Sequence, residues 1–216
     1  MVTDITRLIE AVEAADSKTA LVAAVANLAA AHHPEAIPAL ITVLGYNNPG
    51  AAVAAVDGLV SLGDAAVTAL LTQLDGYNYG ARAWAIRALA LIGDPRALPL
   101  LLDTAIGDFA LSVRRAATRG IGSINWSLMP DPEVETAQEQ VLAALFQITL
   151  TDSEWVVRYA GVAGLQTLAR VDAGAYHTRI LPHLQRLVVR DDTVAVQARA
   201  QWAVDQLLGA LPRSGP

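Results

Sequence analysis

The sequence predicts an all-α protein, an α-α superhelix (solenoid) of about six helix pairs, and three observations carry that reading. Hydrophobic residues make up 54% of the 216 positions and aromatics only 5%. The excess is Ala, Leu and Val, which suits closely packed helices. Apolar residues then recur at helical spacing: Ala81, Trp84, Ala85, Ala88, Leu89 and Ile92 fall at i, i+3, i+4, i+7, i+8 and i+11. Finally, the pattern repeats. Equivalent positions Leu28, Leu59, Leu89, Ile121, Leu165 and Leu207 are 31, 30, 32, 44 and 42 residues apart, periods that mean stacked two-helix units.

In chain order the unit reads AVANLAAAHHPEAIPAL, AVDGLVSLGDAAVTAL, AIRALALIGDPRALPL, ATRGIGSINW and GVAGLQTLARV. The first helix of a unit carries a Pro and paired Leu, as at Pro38-Ala39-Leu40 and Pro99-Leu100-Leu101. The second begins with a Val-Arg-type start and runs through small residues. Neither buries its apolar face alone, so units must stack. Around residues 76–96 the signals are sharpest: an aromatic turn, an alanine-rich helix, then Gly93 as stop and Pro95 in the first turn of the next helix. Two intervals are long, within residues 123–140 and around 171–179, and their extra residues are expected in loops or helix extensions. Met129-Pro130-Asp131-Pro132 is a strong breaker, with Glu133, Glu135 and Glu139 suiting a helix start. The expectation is one repeat domain over residues 1–211 and a flexible tail over 212–216.

Composition excludes several functions. Cysteine is absent, which removes disulfides, zinc thiolates and thiol catalysis. The net charge of −6 argues against nucleic acid as a partner. The longest apolar run, residues 20–31, is too short for a bilayer and is broken by Asn27, and Asp4, Arg7 and Glu10 leave no signal-peptide core. A cytoplasmic protein without membrane insertion is expected. The charge is uneven, however. Residues 82–130 carry six Arg against three Asp, a basic island between acidic flanks.

Three second helices, aligned on Ala81, Val113 and Val157, sort the polar residues. The next position holds Arg82, Arg114 and Arg158, preceded six or seven residues earlier by Asp75, Asp108 and Asp152. Turn aspartates and helix-start arginines of that spacing make a ladder between repeats. Opposite the Ala/Leu stripe lie Ala83, Arg87 and Ala90, then Arg115, Arg119 and Gly122, then Tyr159, Ala163 and Gln166. This stripe is either a cationic groove face or an ordinary solvated one. Trp84 belongs to the core by its spacing. At the helix starts Tyr77 aligns with Phe109 and Tyr79 with Trp155. Such aromatics either offer flat surfaces beside unpaired N–H groups or pack between repeats. His32, His33, His177 and His183 lack metal-pair spacing, so no metal site is expected, and no catalytic motif occurs.

The stretches YNYGARAWAIRALALIGDPRAL, DFALSVRRAATRGIG and DSEWVVRYAGVAGLQ resemble the HEAT-like repeats of the phycobilisome lyase family, in particular the F-type subunits of its heterodimeric E/F bilin lyases. The resemblance covers nearly the whole chain and implies a HEAT-like superhelix. It further implies an E-type partner subunit, a phycocyanin α-subunit as acceptor, and phycocyanobilin as substrate, with no cofactor of the chain's own. The implied reaction adds an acceptor cysteine thiol across the ethylidene double bond of the bilin A ring. On that reading Arg87, Arg115 and Arg119 clamp the bilin propionates, and Tyr77, Asn78 and Tyr159 line the pigment. Tyr79 and Asp108 are the candidates for chemistry, through pyrrole contacts and the protonation state of the bilin. An isomerising branch carries a His-Cys pair in the segment matching residues 78–80, where this chain has none, so attachment without isomerisation is implied. The rival implication is a non-catalytic module: a scaffold, a stabiliser of the partner, or a chromophore-removal factor.

Overall fold

A computed structural model describes residues 5–72, 79–171 and 175–209. Among these residues every regular element is helical: twelve α-helices with short 3-10 turns, and no strand. They form two compact units, Met1–Ala97 and Leu98–Pro216. Each holds three helix pairs, so the expected all-α architecture of six pairs stands.

In the first unit the pairs are α1 (Ile5–Glu13) with α2 (Lys18–Ala30), α3 (Ile37–Leu44) with α4 (Pro49–Leu62), and α5 (Asp64–Thr72) with α6 (Tyr79–Ile92). The second helices α2, α4 and α6 lie side by side. Starts are set by local chemistry. Ser17 caps α2 by accepting from Ala20 N at 3.1 Å, and Asn48 caps α4 by accepting from Ala51 N at 3.2 Å. Asn48 also donates from Nδ2 to the Lys18 carbonyl at 3.0 Å, tying one repeat's cap to the start of the previous second helix. Gly93 ends α6 with φ of 71°, a conformation that disfavours any residue with a Cβ. The Asp94-Pro95-Arg96 stop beyond it is itself a joint. Arg96 Nε and Nη2 donate to the Asp94 carboxylate at 2.9 and 2.6 Å, while Nη2 also reaches the Asp64 carbonyl at the start of α5. Bonding to Arg96 holds the Asp94 carboxyl below its ordinary pKa.

The second unit pairs α7 (Leu98–Gly107) with α8 (Leu111–Ile121), α9 (Asp131–Thr151) with α10 (Trp155–Val171), and α11 (Ala175–Arg190) with α12 (Val194–Gly209). Again the second helices adjoin, α8 on α10 and α10 on α12. The long interval at 123–140 resolves as expected, into a 3-10 turn at Trp126–Leu128 and a 21-residue α9. Pro132 stands in the first turn of α9 with Asp131 and Glu133, favourable charges at a helix N-terminus. The period positions Leu28, Leu59, Leu89, Ile121 and Leu165 are fully buried and Leu207 is 2% exposed, so the repeat register marks the core.

Two sites in the second unit make predictions about packing. Gly122 caps α8 where it meets α10, and a Cβ built on it stands 2.3 Å from the Gly164 Cα. The obstacle is backbone, which cannot rotate aside. Gly122→Ala is therefore expected to destabilise the protein by at least about 2 kcal/mol, an overpacking cost, measured by urea unfolding; an unchanged midpoint would show that the two helices do not touch there. The periodicity puts Gly122 on the open stripe, and its burial corrects that reading.

The other site is His183 on α11. Its ring stacks on Phe146 at 4.3 Å between centroids, and its Nε2 lies 2.8 Å from Thr149 Oγ1. The Thr149 hydroxyl donates to the Leu145 carbonyl, which leaves its lone pairs to accept from the neutral imidazole. Burial, and secondarily the charge of Arg186, push the His183 pKa down to about 4. An unfolded histidine titrates near 6.5, so between about pH 6.5 and 4 the unfolded chain binds the extra proton. Stability from this group is present above pH 6.5 and lost as pH falls toward 4. After allowance for residual solvent screening it amounts to about 2 kcal/mol. His183→Phe should flatten the stability profile over that window, and a profile as steep as the wild type's would assign the slope elsewhere.

Candidate functional site

The starts of the second helices in the second unit share one device. Asp108, Asp152 and Asp191 each accept, through Oδ1, from the backbone N–H two residues on, at Ala110, Glu154 and Thr193 (2.9, 2.8 and 2.9 Å). This small turn exposes the aspartate's own carbonyl, and the residue six positions on closes it. Arg114 Nη1 donates to Asp108 O, Arg158 Nη1 to Asp152 O, and Gln197 Nε2 to Asp191 O (2.9, 2.9 and 2.6 Å).

The arginines then reach sideways. Arg114 Nε and Nη2 donate to the Asp152 carboxylate at 2.8 and 3.1 Å, and Arg158 Nε and Nη2 to that of Asp191 at 2.9 and 3.0 Å. Arg158 also meets Asp192 and Thr193. Bonding to these carboxylates raises the pKa of both guanidiniums above the ordinary value. The expected ladder is thus present as Arg114–Asp152 and Arg158–Asp191, each arginine joining its own turn to the next repeat. Asp75, the first expected rung, lies outside the described residues. Beside the Arg114–Asp152 rung a cavity of about 270 Å³ is lined by Ala105, Ile106, Asp108, Gln147 and Thr151, among others.

The remaining cations are differently placed. Arg115 and Arg119 are exposed on α8, one turn apart, and make no ion pair among the described residues. On α10 Tyr159 is 41% exposed and Trp155 45%, their rings edge to face at 6.5 Å. Arg115, Arg119 and Tyr159 therefore do stand on adjoining helices with open faces. Their stripe closes toward its C-terminal end, since Gly122 is buried and Gln166 only 3% exposed. Asp108, 8% exposed, accepts within its own turn from the Ala110 N–H. Phe109 is 81% exposed, so it does not pack between repeats.

In the first unit, Tyr79 is half-buried as the first residue of α6, and Arg87 is exposed, with its guanidinium 5.8 Å from the Trp84 ring. Trp84 is half-buried at the margin of the core rather than within it. Ala90, expected on the open stripe, is buried. Tyr77 and Asn78 lie outside the described residues. No group of three or more His, Asp or Glu that could hold a metal occurs among the described residues, and no described helix is long and apolar enough to cross a membrane.

The alignment of second helices extends one repeat further in the structure. Continued from Val113 and Val157 to Val196, all buried, it sets Trp202 at the level of Arg119 and Gln197 at that of Arg114 and Arg158. Arg199 then falls where α8 and α10 carry Ala116 and Ala160.

Residues 68–166 match the model of HEAT repeats. The chain is 53% identical over 204 residues to the phycocyanin alpha phycocyanobilin lyase CpcF of Synechocystis sp., covering 94% of both chains. It belongs to the CpcF-type phycocyanobilin lyase subunits. A second member, the phycobilisome maturation protein of Synechococcus elongatus, is 54% identical over 94% of this chain and 97% of its own. Among solved structures, a chain in the complex of CpcE and CpcF of phycocyanin lyase from Nostoc sp. is 47% identical with a TM-score of 0.74, over 79% of this chain and 99% of that one. The likeness to that solved chain agrees with the all-helical repeat fold described here.

Proposed function

We propose that this chain is one subunit of a heterodimeric bilin lyase in the cytoplasm, acting with an E-type partner to join phycocyanobilin by a thioether to a cysteine of the phycocyanin α-subunit. The observation that carries the proposal is the 47% identity to a chain of the CpcE–CpcF complex, reinforced by the 53% identity to the Synechocystis lyase. The sequence has no cysteine, so the thiol must come from the acceptor, and a covalent enzyme–bilin thioether on this chain is chemically impossible. What remains for it is holding and orienting two reactive molecules, which by itself removes a large part of a bimolecular barrier.

The residues divide accordingly. Arg115 and Arg119, uncommitted to carboxylates, meet the propionates with charge-assisted hydrogen bonds. Tyr159 offers a ring face beside them. Arg87, Tyr79, Tyr77 and Asn78 serve the pigment from α6 and the segment before it. Asp108 borders the 270 Å³ cavity, which is below the usual range for a whole ligand and accommodates one ring rather than a tetrapyrrole. There its carboxylate would hold pyrrole N–H groups and favour the protonated, more electrophilic bilin. Mixing the chain with an E-type partner, phycocyanobilin and the apo α-subunit should give a covalent, red-fluorescent product that survives denaturation. Absence of product, where the Synechocystis subunit in the same mixture gives it, would remove the lyase reading in favour of a non-catalytic binding role.

A further inference from the structure

The second unit contains a cationic cluster with no carboxylate partner among the described residues. Arg199 on α12 is half-buried, and its Nη2 donates to Gln166 Oε1 on α10 at 2.7 Å. That bond fixes which way the Gln166 amide points, so its Nε2 faces away, buried and without a partner. Arg199 Nη1 is likewise buried and without a partner. Two orphan donors therefore flank a single hydrogen bond. Each costs free energy in the folded chain for as long as nothing accepts from it.

The surroundings are aromatic. The Arg199 guanidinium lies 4.6 Å from the ring centroid of Trp202 and 5.8 Å from that of Tyr159, and these rings are 51% and 41% exposed as residues. Burial lowers the Arg199 pKa, and the like charges of Arg170 and Arg119 lower it further. Among the described residues, none of these three arginines, on three adjoining helices, pairs with a carboxylate. A structural arginine in this fold looks different, as Arg114 and Arg158 show with their bidentate aspartates.

A carboxylate has the two acceptor oxygens this arrangement lacks. We infer that Arg199 Nη1 and Gln166 Nε2 form a carboxylate subsite, roofed by Trp202 and Tyr159, that takes one propionate arm of the bilin while the rings border the adjoining pyrrole. The inference rests on the bilin-lyase reading above and adds residues to it. Since both donors are covered in the free chain, the exposed rings must move aside as the carboxylate enters, and Trp202 is the reporter of that motion. Nothing covalent is involved.

The test uses the purified heterodimer, titrated with phycocyanobilin and, separately, with its dimethyl ester, followed by bilin absorbance and by Trp202 fluorescence in a Trp202→Phe comparison. In Arg199→Met and Gln166→Leu, affinity for the free acid should fall about tenfold or more while ester affinity holds, narrowing the acid-to-ester ratio. Thermal stability should fall only slightly, because each variant removes one unanswered buried donor and leaves one end of the Arg199–Gln166 bond unpaired; loss of the fold in both would assign the pair a structural role instead. Gln166→Leu keeps the charge and the surrounding rings, so it reports even where Arg199→Met does not fold. Acid affinity and ratio unchanged in both variants would overturn the subsite and leave the donors to a buried water. Weakened heterodimer association without bilin would also overturn it, assigning the cluster to an Asp or Glu of the partner subunit. Wild-type heterodimer that binds neither acid nor ester would remove the bilin reading itself, and the subsite with it.

Discussion

Arg158→Met is expected to lower the unfolding free energy by about 3–5 kcal/mol, enough to consume much of a single domain's stability. Both members of the rung are out of water: the side chains of Arg158 and Asp191 are 9% and 3% exposed. The guanidinium uses all of its directions, toward its own turn at Asp152 O and Ser153 O and toward the next repeat at Asp191, Asp192 and Thr193. Methionine keeps the stem and the packing but strands the Asp191 carboxylate beneath the surface without a counter-charge. The loss is therefore one of an unpaired buried ion, and not of a salt bridge's net worth, which would be small. Asp192, exposed and bonded to the same guanidinium, is the control: Asp192→Ala should leave the denaturation midpoint where it was. Guanidinium unfolding followed by circular dichroism decides the matter. An Arg158→Met protein within about 1 kcal/mol of the wild type would mean that water reaches Asp191 and the rung fixes geometry only.

That rung also shows what a sequence of this kind displays and what it hides. The register of the repeats was legible because a helix forces its core residues into one period, and Leu28, Leu59, Leu89, Ile121 and Leu165 are all fully buried at the positions the spacing picked out. The ladder was legible for the same reason, since a turn aspartate and an arginine six residues on are fixed by local geometry; only the sideways reach, from Arg114 to Asp152 and Arg158 to Asp191, required neighbouring repeats. The far ends of the open stripe were misread. Gly122 and Gln166 lie at helical spacing from exposed residues, yet α8 and α10 approach to backbone contact at Gly122, and Gln166 is buried where Arg199 of α12 reaches it. Periodicity gives the direction in which a side chain leaves its own helix and says nothing of what stands in that direction. Arg199 was hidden by a related cause. Its position is occupied by alanine in the two preceding repeats, so its meaning depends on Gln166, which only the stacking of α10 on α12 brings to it.

The same distinction between committed and uncommitted arginines governs the second large effect. Arg115→Ala combined with Arg119→Ala is expected to weaken phycocyanobilin binding to the heterodimer by at least roughly two orders of magnitude, since each removes a charge-assisted hydrogen bond worth about 1.5–3 kcal/mol where a carboxylate partner is present. Folding should be nearly untouched. Both side chains are exposed on α8 and neither makes an ion pair among the described residues, in contrast to Arg114 one position before them. The measurement is bilin absorbance on titration, with circular dichroism confirming the fold. The dimethyl ester of the pigment separates charge recognition from simple stacking: it should bind wild type and double variant alike. If the variant binds the free acid as well as wild type does, Arg115 and Arg119 are solvated surface, and recognition of the propionates falls to the partner subunit or to the buried donors of α10 and α12. If acid and ester both weaken together, α8 contributes shape rather than charge. Only selective loss of the acid agrees with a clamp, because only the propionate charge distinguishes the two ligands.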